Sequence, residues 1–86
     1  MSALAESYER MVDQETDLLQ RIATCDAYLN ALFEFTYYQG TKHNRLTMED
    51  IVSALHAVST DLRTELVHVQ LEKAYLSGEM RHRAQS

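Results

Sequence analysis

Leu4, Tyr8, Met11, Glu15, Leu18, Ile22, Cys25, Leu29, Leu32 and Thr36 follow one another at alternating steps of four and three residues. Such a spacing keeps one stripe of an α-helix turned toward a neighbouring helix. It returns later in the chain at Val52, Leu55, Ser59, Leu62, Leu66, Val69, Lys73, Leu76 and Met80. The 86 residues include no proline and only two glycines, so nothing interrupts either run from within. The chain therefore reads as all-α, an antiparallel helical hairpin of two long helices.

The expected boundaries are a helix over 2–39, a turn over 40–46, a helix over 47–80 and a basic, frayed tail over 81–86, all in one domain. A helix of the first length spans roughly 55 Å at 1.5 Å per residue. Gly40 stands where a left-handed residue commonly ends a helix. Thr47 reads as the N-cap of the second helix, with Glu49 and Asp50 placing negative charge on its first turn. Leu46 and Ile51 then occupy the positions of a hydrophobic staple. Gly78 is expected to loosen the final turns. Val12, Leu19 and Phe33 widen the first apolar stripe, and Met48, Ile51 and Val58 flank the second.

A short connection between long helices places them antiparallel. Counting outward from the turn pairs residues whose numbers add to about 88. Leu18 then meets Val69, Ile22 meets Leu66, Cys25 meets Leu62, Leu32 meets Leu55, and Tyr8 lies beside Met80. Glu15, the one acid on the first seam, falls opposite Lys73, the one base on the second. A register-setting ion pair is the consequence.

Two helices leave most of their outer surface in water, yet part of it is apolar. Tyr28, Phe35 and Tyr38 lie off the first seam, with Ala27 and Ala31 beside them. Along the second helix Ser53, Ala54, Ala57, Thr60 and Thr64 form an outer strip of small residues, continued by Val67, Leu71 and Tyr75. A hairpin cannot bury these stripes along with its seam. A second copy can, as a four-helix bundle. Aromatic side chains are favoured at interfaces, so Tyr28, Phe35, Tyr38, Val67, Leu71 and Tyr75 are the expected protein-interaction residues.

Charge and chemistry narrow the function. The formal charge of −5 disfavours nonspecific binding to nucleic acid or anionic membrane. Cys25 is the sole cysteine, which fits a reducing, cytoplasmic setting and a small buried hydrophobe. The opening residues carry charge from Glu6 onward and lack the apolar core of a secretory signal. No run approaches the roughly 20 apolar residues of a membrane span. His43, His56, His68 and His82 never take the i, i+4 spacing of a helical metal site. Catalytic residues, cofactor-binding residues and metal ligands are accordingly expected to be none, and the chain is not expected to be an enzyme.

Small all-helical chorismate mutases also begin with a long helix carrying "LL" and arginine. Their chemistry needs several cations around a dicarboxylate, whereas Arg10 and Arg21 stand here among acids. "YYQG" and "YLSGE" resemble in part the WxG-turn hairpins exported by specialised secretion systems. Tyr38 replaces the tryptophan and the turn is longer, so that resemblance assigns nothing.

The expected function is a non-enzymatic protein–protein interaction module: a homodimer serving as adaptor, chaperone-like subunit or inhibitor of a larger cytoplasmic protein. One alternative is an acidic nucleic-acid mimic or small phage-type inhibitor of a nucleic-acid-binding protein, based on Glu6, Glu9, Asp13 and Asp17. A second is an RNA-binding hairpin regulator using Lys42, His43 and Arg45 in the turn.

Overall fold

A computed structural model describes residues 2–85 of the chain. Helix α1 spans Ala3–Gln39, a 3-10 turn covers Gly40–Lys42, and helix α2 spans Arg45–Gln85. The helices pack along their length as a hairpin, a rod of 66 × 16 × 15 Å. Among the described residues, no helix is long and apolar enough to cross a membrane.

Both seams face inward. Leu18, Ile22, Cys25 and Leu62 form the buried centre, with Leu55, Leu66 and Val69 packed against them. Leu76 and Ser59 are also buried, and the other seam residues are half-covered apart from exposed Thr36. The counted register holds at its polar position: Lys73 Nζ donates to Glu15 Oε1 at 2.6 Å. That bond is the main reason the Glu15 carboxyl lies below its ordinary 4.5, and burial opposes the shift. The same bond raises Lys73 above 10.5, again against burial. A second crosslink lies on the same side of the hairpin, where Arg63 Nη2 donates to both carboxylate oxygens of Asp26 at 3.1 and 3.0 Å. Arg63 Nε also donates to buried Ser59 Oγ at 3.3 Å, which gives that seam hydroxyl its partner.

The turn departs from expectation in four ways. Gly40 is right-handed, with φ −60° and ψ −33°, and no described residue has positive φ. Its backbone N–H still reaches Thr36 O as in an α-helix, and the His43 N–H then reaches Gly40 O at 3.2 Å, so α1 tightens into a 3-10 turn instead of closing on a left-handed cap. A side chain there would put its Cβ 3.2 Å from Thr36 Cγ2, so close approach is what a glycine supplies. Second, α2 begins before Thr47. Asn44 Oδ1 accepts from the Thr47 backbone N–H at 2.9 Å and from its hydroxyl at 3.0 Å. Asn44 is thus the N-cap, and Thr47 is its third-position partner. Third, the earlier start moves Glu49 and Asp50 out of the first turn, which carries no acid. Glu49 instead accepts from Arg45 Nε at 3.2 Å. Fourth, Leu46 and Ile51 are both exposed and make no staple.

The far end also differs. Residues 81–85 continue α2 with no frayed tail, and Ser86 lies outside the described residues. His82 and Arg83 stand in the last turn, where the helix dipole favours positive charge. Gly78 sits within this helix and does not end it.

A rod this thin buries little. Its radius of gyration is 19.3 Å, against about 12 Å for a compact chain of this length. Its accessible surface is 6746 Å², where a compact 9.9 kDa protein exposes about 5,200 Å². Folding removes only about half of the unfolded chain's surface, short of the 60–65% expected for this size. No large side chain among the described residues is completely enclosed.

Candidate protein-interaction surface

The extra exposed surface is not spread evenly. On one side of the hairpin, near the turn, α1 contributes Tyr28, Ala31, Leu32 and Phe35, and α2 contributes Ile51, Ala54, Leu55 and Val58. Together they line an open groove of about 650 Å³ whose walls are almost wholly apolar. The periodicities explain the wall. Tyr28, Ala31 and Phe35 follow one another at three and four residues, as do Ile51, Ala54 and Val58, so each set forms one ridge. Leu32 and Leu55 belong to the seams and make the floor. The rims stand in water: Tyr28 is 66%, Phe35 46%, Ile51 50% and Val58 51% exposed. Phe35 also meets His43 of the turn, with ring centroids 5.2 Å apart, at the groove's turn end.

The groove unites only part of the expected interaction set. Tyr28 and Phe35 enter it. Tyr38 lies outside and packs edge-on against Tyr37, with centroids 4.9 Å apart. Val67 and Leu71 are exposed but line no part of the groove. Tyr75 borders a shallow depression with Ala74, Gly78, Glu79 and His82, far from the turn. Its hydroxyl donates to Glu79 at 3.2 Å, which raises its pKa above the ordinary 10.0. Ile51 and Val58 are the residues that periodicity misplaced, as flanks of the core. The register held the signal, since a sum near 88 sets Ala31 beside Val58 and Phe35 beside Ala54.

Two other concave surfaces are more polar. Phe33 and Phe35, two residues apart, point about 200° from each other around α1. Phe33 therefore opens on the opposite side, in a groove with Thr36, Arg45, Met48, Glu49, Val52 and Ser53. That side also carries the Asp26–Arg63 and Glu15–Lys73 crosslinks. On the Tyr28 side but toward the termini, Asp13, Asp17, Arg21 and Glu65 surround a depression over Leu18 and Val69. Three carboxylates there face one guanidinium, held 3.8 Å from Asp17. Among the described residues, no group of three His, Cys, Asp or Glu side chains is arranged to hold a metal ion.

Comparisons with protein families, curated proteins and solved structures yield no match to this chain.

Proposed function

We propose that this chain is a non-enzymatic protein–protein interaction module that accepts helices in the groove between Tyr28–Phe35 and Ile51–Val58. The observation that carries this reading is the nearly complete lack of polar surface in a groove whose large side chains are about half exposed. Water covers such a groove at a cost of about 25 cal/mol per Å² of apolar area. An amphipathic helix laid in it removes that cost and needs no buried polar partner. The working roles are adaptor, chaperone-like subunit or inhibitor of a larger protein, and the lone buried Cys25 fits a cytoplasmic setting.

The electrostatic alternatives have weaker support. The acidic depression is partly neutralised by Arg21, and Arg45 of the basic turn is engaged by Glu49. Both alternatives require steep salt dependence, whereas an apolar groove does not.

Ala54→Arg tests the proposal. Ala54 is exposed and arginine is a good helix former, so the hairpin itself tolerates the change. With a photo-crosslinking residue on the rim at position 51, expression in cells yields adducts of the parent chain. Ala54→Arg is expected to remove them, and Val67→Arg to leave them. Adducts equally abundant in both variants would overturn the groove as the interaction surface.

A further inference from the structure

We infer, on the premise that the groove is the interaction surface, that its occupant is a second copy of this chain seated turn-half on turn-half. The two rods run antiparallel and their terminal halves project in opposite directions.

The first ground is a symmetry in the walls. The α1 ridge reads aromatic, alanine, aromatic at Tyr28, Ala31 and Phe35, and the α2 ridge reads aliphatic, alanine, aliphatic at Ile51, Ala54 and Val58. A two-fold axis running across the groove from helix to helix lays each helix antiparallel on its own copy. Because the register sets Ala31 beside Val58 and Phe35 beside Ala54, the axis passes between these two rows, and Phe35 then faces the second copy's Ala31 while Val58 faces the second copy's Ala54. A large side chain over a small one on both helices is self-complementary, as a two-fold interface requires.

The second ground is area. The exposed parts of Tyr28, Phe35, Ile51 and Val58 amount to roughly 400 Å² per copy, taking about 150–250 Å² for each aromatic side chain. Two copies bring roughly 800 Å² of apolar surface together. At the apolar share of about 65% usual in homodimers, that corresponds to about 1,200 Å² in all, the lower edge of stable interfaces. An interface of this size fits a reversible dimer rather than an obligate one.

The third ground is charge, which selects the arrangement. Side-by-side parallel rods would set Asp13 and Asp17 of each copy against Glu65 of the other, with only Arg21 to offset them. Antiparallel rods in full overlap would press the apolar groove onto those same carboxylates and strip their water. Overlap of the turn halves alone avoids both. The groove is centred about 14 Å from the turn tip at 1.5 Å per residue. Two 66 Å rods joined there measure about 105 Å end to end.

Small-angle X-ray scattering of the full chain, with sedimentation equilibrium on the same samples, tests the inference. The expected result is a two-chain mass with a longest dimension of about 105 Å, set by the overlap geometry. A two-chain mass with a length near 66 Å would overturn this arrangement while leaving the groove as interaction surface. A one-chain mass at all concentrations up to about 1 mM, where binding free energy is only about 4 kcal/mol, would overturn self-association. The cellular adducts and their loss in Ala54→Arg would then decide separately whether the groove takes a foreign helix.

Discussion

Truncating Phe35 separates a groove-centred interface from general surface stickiness. Phe35 is 46% exposed, so a partner covers roughly 90 Å² of its ring. At about 25 cal/mol per Å², Phe35→Ala removes about 2 kcal/mol per copy. A symmetric dimer loses it twice, about 4 kcal/mol, or roughly a thousandfold in dissociation constant. Val67 supplies the control. At 59% it is more exposed than Phe35, yet it lies outside the groove. A count of exposed apolar area ranks Val67→Ala as comparably harmful, whereas the groove account expects it to leave the dissociation constant within about threefold, a shift below about 0.7 kcal/mol. Sedimentation equilibrium over a dilution series reads both constants. Circular dichroism on the same samples checks that helix content is kept, as alanine's higher helix propensity favours. An unchanged constant for Phe35→Ala, or an equal loss for Val67→Ala, would refute the assignment.

Three further outcomes concern the hairpin itself. Because Glu15 is depressed, its contribution is present above its ordinary 4.5 and is lost as pH falls through its folded value. Because Lys73 is raised, its contribution is complete below 10.5 and is lost as pH rises through its folded value. Lys73→Met should therefore move the Glu15 carboxyl titration upward in a carbon-detected NMR series and leave the chain's stability less sensitive to acid; an unmoved titration contradicts the pair. Exchanging both charges should also be tolerated better than exchanging one. Gly78→Ala places a Cβ that meets nothing within 4 Å and should raise stability by up to about 1 kcal/mol in thermal unfolding; a loss would mean the helix does not continue there. Gly40→Ala should fall within about 1 kcal/mol of neutral, because the position is right-handed and only Thr36 Cγ2 must yield; a loss of 2 kcal/mol or more, by the same measurement, would indicate a left-handed turn.

The interior was legible because periodicity and register are both collective. Many seam residues must agree at once, and a count from the turn then placed Glu15 on Lys73 without reference to packing. The turn was less legible because its signals are local and degenerate. Asn44 and Thr47 are both good caps three residues apart, and the choice depends on which side chain reaches a free N–H. Gly40 tolerates either hand, so glycine alone does not say which the chain adopts. The groove was half legible. Tyr28 and Phe35 are conspicuous for lying off the seam, but Ile51 and Val58 look like core flanks. A helical wheel gives direction without depth, and only the narrow footprint of a two-helix contact leaves those flanks in water. Tyr38, seven residues on from Ala31, faces nearly the same way but lies beyond the turn end of the groove.

Hydroxyl-radical footprinting of the unmodified chain across a concentration series addresses the claim that the groove is covered in solution. In one isolated chain Tyr28 is 66% exposed and Tyr37 is 82% exposed, so both rings react readily when dilute. Tyr28 is expected to become protected as concentration rises while Tyr37 keeps its reactivity. Tyr28 and Tyr37 remaining equally reactive at every concentration would contradict it.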